Sequence, residues 1–155
     1  MPSPMSYPAA LNDIIELFEF LPEAERRENL INYAEMAVAC ARQEGVPYDV
    51  EDVRKDVECT DTVGVYVRVD DQDRVHFAIE LGPKVQTLTK AMTAILCRGL
   101  NGSTVEEVMT VPPDFVPRII GADLVRLRSQ TVYYVLGRMK AAVKTLMDCR
   151  RAATS

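Results

Sequence analysis

Residues 63–81 read VGVYVRVDDQDRVHFAIEL, and this stretch decides the fold. Val63, Val65, Val67 and Val69 alternate with Gly64, Tyr66, Arg68 and Asp70, the period of two expected where one face of a strand is buried and the other is wet. Asp70, Asp71, Gln72 and Asp73 make a polar turn, after which Val75, Phe77, Ile79 and Leu81 resume the alternation. Two such runs about a short polar turn predict an antiparallel hairpin. His76 falls on the polar face with Glu80, where it reads as a solvated strand histidine rather than a general base.

Helical periodicity surrounds this hairpin on both sides. Pro2, Pro4 and Pro8 mark an irregular tail over residues 1–8, and Leu11, Ile14, Ile15, Phe18 and Leu21 then recur at helical spacing. Pro22 suits the first turn of a second helix with Leu30, Ala34, Ala37 and Ala41 as its buried stripe, stopped by Gly45 and Pro47. Beyond the hairpin, Gly82 and Pro83 introduce a third helix through Val85, Leu88, Met92, Ile95 and Gly99, closed by Asn101 and Gly102. Ser103 to Glu106 has the S-x-x-E spacing of a capping box. Pro112, Pro113 and Pro117 punctuate an irregular stretch or short helical turns. Val132, Val135, Leu136, Met139, Val143 and Leu146 define a long last helix, expected to fray over 150–155. The pattern predicts one α+β domain over residues 1–155, with helices packed on one face of a small antiparallel sheet.

Composition narrows the function classes. A 155-residue chain can bury roughly 70% of its unfolded surface, and 48% apolar with 26% charged residues excludes disordered and fibrous classes. No Lys or Arg precedes Arg26, and Asn12, Asp13 and Glu16 interrupt the first apolar stretch, so neither a signal peptide nor a membrane span is expected. The cytoplasm is the expected compartment. The net charge of −5 divides into +6 over residues 115–155 and −11 over the remainder. Basic residues late in a terminal helix suit its dipole, and no concentrated basic face for nucleic acid is evident.

Chemistry then rests on the cysteines, because one histidine supports no Ser–His–Asp arrangement and, without a C-x-x-C pair, no zinc site. Cys40, among Ala37, Ala39 and Ala41, and Cys97, after Leu96, read as small buried hydrophobes; Cys149 falls in a fraying final turn. Cys59 stands apart, between the polar segment Glu51 to Glu58 and the strand opening at Val63, with Thr60 and Asp61 beside it. A loop beside a rigid element suits a thiol that a partner must reach. On spacing alone, a reactive Cys59 and an incidental loop cysteine both stand.

From Asp13 to Lys144 the order of elements resembles the SufE-like sulfur acceptors of iron–sulfur cluster assembly. The resemblance is carried by Ile14 to Phe20, by Leu30, Tyr33 and Ala34, and by Cys59 before a valine-rich strand and its hairpin. Lys90 to Leu100 leading into Thr104, Glu106, Glu107 and Val108, and Arg128, Ser129 and Gln130 opening the last helix, complete it. The family pattern is G-C-x-S followed by valine and tryptophan, and R-S-x-G at the last helix. Here Glu58, Asp61, Gly64 and Thr131 stand at the glycine, serine, tryptophan and second glycine.

The resemblance implies that Cys59 takes the outer sulfur of a persulfide on a SufS-type, pyridoxal-phosphate-dependent cysteine desulfurase and hands it toward an iron–sulfur scaffold. The cofactor would be the partner's, with none needed here, and a homodimer is compatible with this reading. Arg128 would orient the loop or meet a carboxylate of the partner, or else form a capping ion pair at the helix start. A module that modulates a desulfurase without carrying sulfur is the alternative; a cluster scaffold would need several converging thiolates. Two carboxylates, Glu58 and Asp61, beside Cys59 disfavour its thiolate, so activation is expected to come from the partner.

Overall fold

The computed structural model describes residues 7–56 and 61–154, with side chains except at 54–56, 61, 113, 122–132 and 150–154. Helices α1 (Ala9–Phe20) and α2 (Glu23–Met36), with a 3-10 turn at Ala37–Cys40, precede strands β1 (Val50–Asp56), β2 (Asp61–Val69) and β3 (Arg74–Leu81). Helix α3 (Thr87–Leu100), strand β4 (Ser103–Thr104), helix α4 (Val105–Met109), a 3-10 turn at Pro113–Phe115, and helices α5 (Val116–Ile120) and α6 (Ala122–Thr154) follow. The four strands form an antiparallel meander in the order β1-β2-β3-β4.

The decisive stretch folds as its alternation requires, with Val63, Val65 and Val67 completely buried and Val67 paired with Phe77, Val65 with Ile79. Helices α3 and α6 cover that face. Met92, Ile95, Leu96 and Leu100 from α3 meet Val135, Leu136, Met139 and Val143 from α6 in the core, and α1 adds Leu11, Ile15 and Phe18. The opposite face is partly covered as well. Tyr66 is buried, its ring against Tyr48 and beneath the Arg42 guanidinium. Burial, then the hydrogen bond that the Tyr66 hydroxyl donates to Glu80 at 2.8 Å, pushes this phenol up to about 12.

Several boundaries differ from those read in the sequence. Helix α2 ends at Met36 and tightens to a 3-10 turn, because its stripe buries only Leu30 and the chain must bend toward β3. Residues 50–56, read as part of a polar segment, form β1. The capping box is Thr104 with Glu107, not Ser103 with Glu106, since Ser103 pairs with Val75 in β4 and leaves Thr104 as the first free cap. Helix α6 opens at Ala122, placing Arg128 inside it rather than at its start, and its backbone is helical through Thr154. Tyr7, in the expected irregular tail, is buried; it donates to the Asp114 carboxylate and packs edge-on against Phe115.

Close approach of α1 to α3 depends on Gly99. A Cβ there would lie 2.8 Å from Leu11 Cβ and 3.0 Å from Leu11 Cα, so the two helices would have to separate. Overpacking of this kind costs about 1–3 kcal/mol, against a gain of about 1 kcal/mol in helix propensity. Gly99→Ala is expected to lower the melting temperature by a few degrees. Gly137→Ala, in an exposed part of α6 where a Cβ meets nothing within 4 Å, should raise it. Thermal unfolding of the two variants checks this opposition, and a stabilised Gly99→Ala would refute the contact argument.

Candidate functional site at the end of the first hairpin

The antiparallel register pairs Val50 with Val67, Asp52 with Val65, Arg54 with Val63 and Asp56 with Asp61. Strands β1 and β2 therefore end together, and residues 57–60 join them in sequence. Glu58 and Cys59, two of the residues singled out above, lie outside the described residues. Asp61 begins β2 and Arg128 lies within α6, but their side chains are not described. What is described is the base from which the connection leaves.

That base is held by a residue the sequence reading passed over. Arg138 projects from α6 and is only 3% exposed. Its Nη1 donates to the Val63 carbonyl at 2.9 Å, and its Nη2 donates to the Asp52 carbonyl at 2.8 Å and lies 3.1 Å from Asp52 Oδ2. One guanidinium thus ties β1, β2 and α6 together, a task suited to its planar, multiply donating fork. The sequence carried the signal: Arg138 lies three residues after Val135 and four before Ala142, on the buried stripe. A second restraint comes from β3, where Leu81 pairs with Val63 and the Gly82 amide donates to the Thr62 carbonyl at 2.9 Å.

The departure at Gly64 has a local compensation. A Cβ on Gly64 would meet Tyr66 Cε2 and Oη and Val53 Cγ2, each at 3.2 Å, so the Tyr66 ring occupies much of the space beside the position where the resembled pattern has tryptophan. His76 is held by Asp70, Nε2 to Oδ2 at 2.8 Å. The hydrogen bond from His76, then the Arg74 amide, lowers the Asp70 carboxyl to about 2. His76 therefore braces the β2–β3 turn, at the end of the sheet away from residues 57–60.

Compared with known families, residues 12–143 match the model described as SufE, Fe-S metabolism associated domain. The chain belongs to the SufE family. Its association with iron–sulfur metabolism follows from that membership. Among solved structures, the solution structure of a hypothetical protein from Thermus thermophilus is similar at 25% identity, with a TM-score of 0.74 over 92% of this chain and 98% of that one. This likeness supports the α+β SufE-type fold. A comparison with curated proteins found no match. Among the described residues, no helix of this SufE-family chain is long and apolar enough to cross a membrane.

Proposed function

We propose that this protein accepts sulfur on Cys59 from a pyridoxal-phosphate-dependent cysteine desulfurase of the SufS type and passes it toward iron–sulfur cluster assembly in the cytoplasm. The Cys59 thiolate attacks the outer sulfur of the desulfurase cysteine persulfide. The new S–S bond forms at Cys59, the old one breaks, and the desulfurase cysteine leaves as a thiolate. The exchange is redox-neutral and needs no cofactor on this chain. The supporting observation is the place of Cys59 in the sequence, between the paired ends of β1 and β2 and four residues before Val63, which Arg138 anchors. A mobile donor and an acceptor thiol meet best when the acceptor's strand base is fixed.

Arg128, placed by sequence at the family arginine, supplies a planar fork for a carboxylate of the partner or for the Cys59 connection. Mass spectrometry after incubation with desulfurase and free cysteine tests the proposal. A sulfur adduct of about 32 Da mapping to Cys59 is expected, diminished in Arg128→Lys with an unchanged melting temperature. Stimulated desulfurase activity with no adduct at Cys59 would replace the carrier by a module that modulates its partner without carrying sulfur.

A further inference from the structure

Cys40 and Cys97 are not the two isolated core thiols that their neighbours in sequence imply. The 3-10 turn carrying Cys40 packs against α3 and β3, so Cys40 and Cys97 line one cavity of about 420 Å³. Cys97 is 1% exposed, whereas Cys40 is only half-buried. Arg68, Arg98 and His76 share the lining, which includes no carboxylate. Two guanidinium-bearing residues and no carboxylate in the lining favour a small anion over a cation there. Its size falls within the range of small-molecule sites. Among the described residues, no group of three or more His, Cys, Asp or Glu is placed to hold a metal ion.

We propose that Cys40 and Cys97 form a dithiol exchange site for low-molecular-weight disulfides that carry carboxylates, with Cys40 as the attacking thiol and Cys97 as the resolving one. Strand rise of about 3.3 Å per residue puts Arg68 roughly 17 Å along β2 from Val63. The site is thus separate from the β1–β2 end that flanks Cys59 in sequence, and neither depends on the other.

The division of labour follows from the surroundings. Protonated, Cys40 donates to the Met36 carbonyl at 3.8 Å; ionised, it accepts from the Cys97 thiol. That hydrogen bond, reinforced by the Arg98 charge and opposed by burial, holds Cys40 below the usual thiol range. The same bond, then burial and the Cys40 charge, pushes Cys97 up. The nucleophile is therefore the sulfur that solvent can reach. Cys40 thiolate attacks one sulfur of the disulfide R–S–S–R, forming Cys40–S–S–R and releasing R–S⁻. Capping Cys40 removes the negative charge that kept Cys97 protonated. Cys97 then gives its proton to a departing thiolate and attacks the Cys40 sulfur, closing Cys40–S–S–Cys97 and releasing the second R–S⁻. Two protein thiols are oxidised and one external disulfide is reduced to two thiols. No residue of the 3-10 turn is fully buried, so Cys40 can approach Cys97 with little repacking.

The full-length protein, incubated with oxidised glutathione and separately with the cationic disulfide cystamine, tests the assignment. Intact mass should fall by about 2 Da as two thiol hydrogens are lost. Tryptic peptides 28–42 and 91–98 should become linked. Cys97→Ser should accumulate a mixed disulfide on Cys40, and Cys40→Ser should leave Cys97 unreacted. The anionic disulfide should react about tenfold faster than cystamine at low salt, with the gap narrowed by Arg98→Gln. Absence of the linked peptides in the unsubstituted protein, or an equally abundant Cys40 adduct with and without Cys97, would overturn the resolving pair. Equal rates for the two disulfides would overturn the anionic ligand.

Discussion

Cys59→Ser is expected to reduce stimulation of the desulfurase to its unstimulated level and to abolish the sulfur adduct. A serine hydroxyl is protonated at neutral pH and a poor nucleophile toward sulfur, whereas a thiol always supplies some thiolate. Cys149→Ala, which removes an exposed thiol near the end of α6, should keep both properties. The immediate sequence makes a second part of this expectation sharp. Glu58 adjoins Cys59, and the register pairs Asp56 with Asp61, so three acidic residues occupy six successive positions around the thiol. Negative neighbours oppose a further negative charge. Iodoacetamide should therefore alkylate Cys59 several-fold faster in Glu58→Gly with Asp61→Ser than in the unsubstituted protein at neutral pH, and added salt should narrow the gap. Equal alkylation rates would remove the electrostatic brake, and full stimulation by Cys59→Ser would remove the carrier chemistry.

The hairpin and the long helices were legible because their burial is periodic. Each of Val63, Val65 and Val67 reports its environment by its spacing alone, as do Val135, Met139 and Val143. Strand β1 was not legible. Of its residues 50–56, only Val50 and Val53 are apolar, and Val53 is exposed, so the strand exists through pairing with β2 and not through an amphipathic pattern. The capping box slipped by one residue for a related reason: two adjacent S/T-x-x-E frames fit the sequence, and only pairing of Ser103 with β3 chooses between them.

The candidate site divides in the same way. Cys59 stood out as a cysteine in a polar connection before a strand, a feature of the sequence itself. Its structural support was only half legible: the apolar stripe marks Arg138 as buried, but the acceptors that meet it, two strand carbonyls and Asp52, come from strands far away in sequence. Cys40 was misread for the converse reason. Its alanine neighbours imitate a helix core, but the change to a 3-10 turn after Met36 rotates it to a cavity edge beside Cys97.

Arg138 carries the largest expected effect on stability. Arg138→Met keeps most of the apolar stem but deprives two strand carbonyls and the Asp52 carboxylate of their shared donor. Removing one partner of a fully buried ion pair costs about 3–5 kcal/mol. Asp52 retains 31% side-chain exposure, so water recovers part of that loss. A net cost of about 3 kcal/mol is expected, which lowers the melting temperature of a domain this size by about 6–12 °C. Asp52→Asn should cost only about 1 kcal/mol, because its main-chain carbonyl and that of Val63 still receive the guanidinium. Arg138→Lys should fall between them, since an ammonium cannot span both strands as the planar fork does. Hydrogen exchange separates a clamp from general core damage: β1 amides should lose protection in Arg138→Met at temperatures where those of α3 retain theirs. If Arg138→Met unfolds within about 1 kcal/mol of the unsubstituted protein, or β1 exchanges no faster, then the strand base before Cys59 is held by the sheet alone.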